Sequence, residues 1–528
     1  MTRTHSILGP LCRSGLLIGL LVWGQAGCGD DSDSSPAPSS PQEEAGAPDA
    51  EVEVEAGEPD AQPDAAPDAA SDAQLEAQPD VIEEPDAPDD RDIAERLADL
   101  VHVNDVQEFS PSSEGRRFLV RFTLPLDHDD PQGPTFLQSA FIHHRSDTAP
   151  TVLVTSGYGL GEIDDYWSVE PTELLGANQV MLGHRFYEGG SPAELLWDWS
   201  LITIEQSAKD THEIVGSLKT AYPQKWVGTG WSKGGMTVLF QEYFFPDDLD
   251  LALPLVAPIS LAINDPRYPP YLAEIGTPDC RERIEVFTLE CLTRLDELVD
   301  SLGPLSAYEK SYYRDIIKSS AVSYHWPFWQ YVGVESCHYL PGEGAPAEDL
   351  LNAVTFQTFF PAHPALAELQ EYSYYYQALS QLGSPDYFPP GHLQNLMDLG
   401  FLTPQEVSTY QSVEWPYAEP PEYDPSPMAT LDAWLRTSAE DIVAVYGEYD
   451  PWSGGRVTLN PALRTEVLTA PGTSHATYVR DLPDADYTRV VSRIMEIAPG
   501  TRQALPIPRR PSEGERTKLK TTLRQRAL

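Results

Sequence analysis

A chain of 528 residues with 41% hydrophobic and 10% aromatic content has enough apolar material for one large domain with an insertion, or for two domains. Its formal charge of −48 leaves no broad basic face for phosphate, which argues against nucleic acid as a partner. That charge is uneven: Gly29 to Asp90 holds no Lys or Arg and about 21 Asp and Glu, so the remaining body is acidic but less extreme.

The chain opens on a leader, residues 1–27. Arg3 and Arg13 supply positive charge, Leu16 to Trp23 an apolar core too short to span a bilayer, and Gln25-Ala26-Gly27-Cys28 a small-residue cleavage region. Small residues followed by Cys28 resemble a bacterial lipobox, so Cys28 is the expected lipidation site, the only expected contact with a membrane. The expected location is therefore the cell envelope or the exterior. Residues 28–92 repeat Pro, Asp and Ala, as in Gln62-Pro63-Asp64 and Ala66-Pro67-Asp68. Such a segment cannot bury enough surface to order itself and reads as an extended tether.

From about Ile93 strand-like and helical runs alternate. Phe118 to Leu124 and Thr135 to His143 read as a hairpin, Thr151 to Ser156 as a buried strand ending in Gly157-Tyr158-Gly159, and Asn178 to Gly183 as another strand. Leu201 to Ala221 is periodic as a helix, Gln224 to Thr229 as a short strand, and Gly234 to Phe244 as a helix. This alternation predicts an α/β fold with a mostly parallel central sheet. Between 257 and 437 the strand signal fades into helical runs broken by Pro269-Pro270, Pro389-Pro390 and Pro420-Pro421. The stretch is too long for a loop and is expected to be an inserted helical cap between core segments 93–256 and 438–505. Strands resume at Asp441 to Tyr446 and Thr465 to Thr469, and a basic tail occupies 506–528.

Five cysteines are few for an exported protein of this size. Cys280 and Cys291 fall in one helical run, roughly 16 Å apart at the helical rise, beyond the reach of a disulfide. A bridge should therefore join Cys337 to one of them, more plausibly Cys280, leaving an odd thiol.

The chemistry concentrates in three places. Gly230-Trp231-Ser232-Lys233-Gly234 fits GxSxG between a strand and a helix, where a serine is presented on a tight turn beside a helix N-terminus. Asp450 follows the strand 441–446 in Tyr446-Gly447-Glu448-Tyr449-Asp450-Pro451-Trp452, and His475 follows the next strand. The chain order Ser, acid, His is that of α/β-hydrolases, with Ser232 as nucleophile, His475 as base and Asp450 as its orienting acid. Glu448 is the alternative acid. The oxyanion hole is expected from the backbone N–H of Lys233 and that of Tyr158. The remaining histidines form no ligand set with Cys or carboxylates, so neither a metal nor a cofactor is expected. His128, for one, sits in the turn Asp127 to Asp130.

Together with Leu124 to His128, Gly183-His184-Arg185-Phe186-Tyr187, Leu201 to Gln206 and Ser426-Pro427-Met428, these motifs resemble the bacterial serine tripeptidyl or prolyl tri/tetrapeptidyl aminopeptidases, distant relatives of prolyl carboxypeptidase. The resemblance covers nearly the whole folded body and departs from the family at Gly183 and Tyr449. It implies an α/β-hydrolase fold, a cap over the site, peptide substrates, and release of short N-terminal units, often with a preference involving proline. An exopeptidase of this type must pair the substrate's free ammonium with a carboxylate, and Glu205 is the candidate. A lipase or esterase with the same triad is the competing reading. Oligomeric state is not legible.

Overall fold

The computed structural model describes residues 90–112, 115–160, 168–187, 199–355, 373–412 and 420–497. The leader, Cys28, the tether and the basic tail lie outside these residues. The body is organised on a nine-stranded sheet: β1 (Val103–Ser112), β2 (Gly115–Pro125), β3 (Thr135–His144), β4 (Thr151–Thr155), β5 (Asn178–Leu182), β6 (Trp226–Trp231), β7 (Leu251–Leu255), β8 (Val443–Gly447) and β9 (Glu466–Ala470). The spatial order is β1-β2-β3-β5-β4-β6-β7-β8-β9. β1, β2, β3 and β5 pair antiparallel, while β5-β4-β6-β7-β8-β9 run parallel. With β1 as an added edge strand, this is the α/β-hydrolase topology that the sequence predicts.

Alternation drives the antiparallel half. Along β2, Phe118, Val120, Phe122 and Leu124 point inward and are fully buried, with half-exposed residues between them. The inner parallel strands β4, β5, β7 and β8 are buried at every position because helices cover both faces. α1 (Ile93–Ala98) and α2 (Glu170–Leu175) are short; α3 (Ile204–Lys219) and α4 (Lys233–Phe244) are the long crossovers flanking β6. Trp226, Tyr222, Phe240 and Leu218 join β6 and these helices to the main core.

β7 carries a proline in a central strand. Ala252 N–H donates to Asp441 O at 3.0 Å and Val256 N–H to Val445 O at 2.7 Å. Between them Pro254 has no N–H to give, so the β7–β8 ladder is sparse.

The cap segment is the run of helices between β7 and β8. It contains α5 (Tyr268–Glu274), α6 (Pro278–Thr293), α7 (Leu295–Ser301), α8 (Ala307–Val322), α9 (His325–Tyr331) and α10 (Ala347–Thr355), then helices His392–Asp398 and Pro404–Tyr410. It has its own core around Phe287, Trp329, Leu298 and Leu350. Cys280 and Cys337 form the disulfide inside it, and Cys291 remains a buried free thiol. One boundary differs: helix Ser426–Thr437, which falls in the cap segment 257–437, buries Met428, Leu431 and Leu435 in the sheet core instead. Trp434 also packs edge-on against Tyr243 of α4, with ring centroids 5.5 Å apart.

Candidate active site

Ser232 closes β6 and opens α4 with φ 56° and ψ −125°, a strained backbone for a residue with a side chain. Its neighbours make that turn possible by being glycine. A Cβ on Gly230 would stand 2.6 Å from Gly234 C, and one on Gly234 would stand 2.2 Å from Thr155 O. The helix N-terminus is thereby pressed onto the end of β4, and Thr155 Oγ1 donates to Gly234 O at 2.7 Å to hold it there. The Ser232 side chain remains partly accessible.

The other two groups come from the carboxyl ends of the next strands. Asp450 follows β8, is fully buried, and accepts a 2.8 Å hydrogen bond from His475 Nδ1. A second acceptance, from Trp452 N–H at 3.1 Å, fixes the carboxylate's rotation. His475 follows β9, and its Nε2 is buried without a hydrogen-bond partner among the described residues. That nitrogen is the one a general base of this type uses. The serine turn and the histidine loop are tied directly, since Trp231 Nε1 donates to Thr477 O at 3.1 Å. Glu448, the alternative acid, is exposed and accepts from Gly472 N–H at 2.7 Å, so it is engaged in a turn away from the imidazole.

The cap reaches these loops. His475 N–H donates to Gln330 O at 3.0 Å in α9, and Tyr271 of α5 donates from its hydroxyl to Glu448 O at 2.7 Å. Trp452 stands at right angles to Trp326 of α9, ring centroids 5.1 Å apart, and 6.3 Å from the His475 ring.

Two expectations need correction. Tyr158 lies at the site, but its backbone N–H does not point into an oxyanion hole: it donates to Ser156 Oγ at 3.0 Å in a local turn. The Tyr158 ring packs edge-on against Tyr187, with centroids 5.6 Å apart, and 6.2 Å from Tyr374. Lys233 opens α4 directly after Ser232. Glu205 is exposed in the first turn of α3 and pairs with Lys209 at 3.0 Å, four residues on. A carboxylate already engaged on an exposed helix face is a surface pair, not an ammonium receptor.

Behind the serine lies a buried polar layer assembled from the remaining motifs. Lys233 is buried, donates from Nζ to Gly157 O at 2.8 Å, and sits 5.0 Å from the Tyr187 ring centre and 5.7 Å from that of Tyr158. Burial holds its pKa well below the usual lysine value. His184, beside Tyr187, is also pushed well below its ordinary value, first by burial and then by Lys233. Arg185 forms a fully buried pair with Asp210, Nε to Oδ2 at 2.6 Å and Nη2 to Oδ1 at 2.8 Å, while His128 Nε2 meets the same carboxylate at 2.8 Å. Sequence reasoning left Arg185, Asp210 and His128 without roles. The one available signal was that the motifs carrying Arg185 and His128 sit together in the family resemblance.

No group of three or more His, Cys, Asp or Glu among the described residues is placed to hold a metal ion. No helix among them is long and apolar enough to cross a membrane.

Residues 84–526 match the model of a peptidase family described as PS-10 peptidase S37. A prolyl tri/tetrapeptidyl aminopeptidase from Streptomyces mobaraensis is 29% identical over 427 residues, covering 78% of this chain and 86% of the relative. Among solved structures, a proline iminopeptidase from Mycobacterium smegmatis is similar at a TM-score of 0.34 and 13% identity, covering 72% of this chain and 98% of that one. A peroxisomal alpha-beta-hydrolase from Saccharomyces cerevisiae is similar at a TM-score of 0.30 and 13% identity, covering 78% and 98%.

Proposed function

The chain belongs to the PS-10 peptidase S37 family and is a serine peptidase of the aminopeptidase type, and from that premise we propose that it releases short units, of about tripeptide size, from free peptide N-termini, with Ser232, His475 and Asp450 as its catalytic triad. The observation that carries the assignment of the triad is the 2.8 Å pair between buried Asp450 and His475 Nδ1, which leaves Nε2 without a partner among the described residues.

In this reading His475 Nε2 takes the Ser232 proton as Oγ attacks the scissile carbonyl. Asp450 holds the imidazole in the required tautomer and stabilises the imidazolium. The same proton is then given to the leaving amine, and water, activated by the same histidine, releases the acyl unit. A cap that seats α9 on the histidine loop supports an exopeptidase, because it limits how much peptide can lie on the acyl side of the serine. The relative's name, prolyl tri/tetrapeptidyl aminopeptidase, supports a preference involving proline.

The test is mass spectrometry of the products from a set of peptides with free or acetylated N-termini, with and without proline near the cut, against Ser232→Ala. Removal of fixed short units from free N-termini alone, abolished in the variant, is the expected result. Internal cuts, or turnover restricted to acyl esters, would overturn it.

We further propose that the protein is exported and anchored through Cys28, with residues 29–90 as tether. The sequence support is the lipobox-like Ala26-Gly27-Cys28 and the long acidic run behind it. Cys28→Ala should move the protein from the membrane to the soluble fraction.

A further inference from the structure

Two buried side chains behind the serine turn have half of their hydrogen-bonding capacity unused. Gln138, on β3, donates from Nε2 to Gly183 O at 2.7 Å, which fixes the end of its carboxamide that carries the oxygen. His184, in the loop after β5, has Nδ1 3.0 Å from Arg185 O. A carbonyl can only accept, so Nδ1 carries the proton; burial keeps the ring neutral, and Nε2 is left with a lone pair. Gln138 Oε1 and His184 Nε2 are therefore both acceptors, and neither has a hydrogen-bond partner among the described residues. Acceptors shut away from solvent without a donor are costly, and such atoms in native interiors are nearly always satisfied.

The two side chains wall one small cavity of about 10 Å³, which Thr155, Ser207, Thr211, Thr237 and Arg185 help to complete. That is room for a single water and for nothing larger. Each hydroxyl in the wall has already given its proton to a carbonyl: Thr155 to Gly234 O, Ser207 to Thr203 O, Thr211 to Ser207 O and Thr237 to Lys233 O, at 2.7, 2.8, 3.1 and 2.9 Å. Arg185 already uses all three of its nitrogens, on Asp210 and Leu201 O. The open capacity of these side chains is mostly that of acceptors, so the fitting occupant is a donor. An alkali cation would suit the same acceptors, but it would stand against the Arg185 guanidinium.

We propose that this cavity is a built site for one water molecule, which donates one O–H to Gln138 Oε1 and the other to His184 Nε2. Water so placed ties β3 to the loop 183–187. The tie continues toward the serine, because His184 N–H donates to Tyr158 O at 2.8 Å. The neighbouring Gly157 lies so close to α4 that a Cβ there would stand 2.4 Å from Gly234 N, and Thr155 Oγ1 holds Gly234 O from the other side. The bound molecule is thus part of the scaffold on which the Ser232 turn rests. The assignment does not depend on which substrate the serine attacks.

Crystals of the full chain, diffracting well enough to show ordered solvent, give the first reading, beside a second set grown in rubidium chloride. One peak within about 3.2 Å of both Gln138 Oε1 and His184 Nε2, without anomalous scattering from rubidium, is the expected result. No peak there, or a rubidium signal at that position, would overturn the proposal. In solution, oxygen-17 relaxation dispersion counts internal waters that exchange slowly. Gln138→Leu keeps much of the side chain's bulk and removes Oε1, so it should hold one such water fewer than wild type, with a melting curve to check that it folds. An equal count in the folded variant overturns the proposal. Should the leucine variant not fold, the wild-type density decides alone.

Discussion

The Asp450 carboxylate accepts from His475 and from Trp452 N–H and is fully buried, and its task in the proposed mechanism is to choose which imidazole nitrogen carries the proton. Asp450→Asn keeps the shape and offers a donor to the wrong tautomer. It should lower kcat by about 10⁴-fold while leaving the fold intact, as steady-state kinetics beside circular dichroism would show. Ser232, Asp450 and His475 could be singled out as a candidate triad from sequence because chain order and local motif constrain them. Glu205 was not legible: an acidic residue at a helix start looks the same whether that face meets substrate or water, and only packing showed that it meets Lys209. At Tyr158 no sequence pattern reveals that a serine two positions earlier will claim the amide.

A second residue makes a prediction about stability. Glu242, in α4, is 6% exposed, and burial followed by the like charges of Asp441, Asp248 and Asp250 pushes its pKa up to about 9. Between the ordinary glutamate value and about 9, the folded chain keeps a proton that the unfolded chain has released, so its contribution to stability falls as pH rises through that window. Glu242→Gln removes this titration. The variant should melt with wild type near pH 4.5 and above it at pH 8, by roughly 2–4 °C for each kcal/mol relieved. A melting curve at the two pH values decides it.

At the scale of elements, the buried Arg185–Asp210 pair fastens the end of β5 to α3 beneath the serine. Removing one partner leaves a charge stranded in the interior. Asp210→Asn or Arg185→Met should each cost about 3–5 kcal/mol, seen as a large fall in melting temperature, with the double variant less than additive. The cap disulfide acts differently, through the unfolded chain: Cys280 and Cys337 are separated by 57 residues, and losing such a cross-link costs about 4 kcal/mol. Cys280→Ser with Cys337→Ser should therefore loosen the cap first, read by proteolysis within 278–355 before the sheet unfolds. Most of the sheet was legible from alternation and short apolar runs. β1 was missed because Val103–Ser112 is a largely polar edge strand, and β7 because Leu251–Leu255 is short, uniformly apolar and interrupted by Pro254. The C-terminal helix Asp484–Glu496 was missed too, although Tyr487, Val490, Val491 and Ile494 make a clear buried stripe.

For the whole molecule, the division into sheet body and cap was readable from where strand patterning stops and starts. Its one misplaced boundary followed from composition: helix Ser426–Thr437 carries the same helical signal as the cap but buries its apolar face against the sheet side. What sequence could not supply is how the two layers engage, because contacts such as Tyr271 to Glu448 are made between segments about 180 residues apart. The bond from His475 N–H to Gln330 O means that the roof is fastened to the machinery it shelters. Raising it to admit a long chain would slacken the very loop that carries the base. Trimming away α9 to widen its diet should therefore yield an idle protein, not a less selective one, as peptide turnover by the trimmed chain would show.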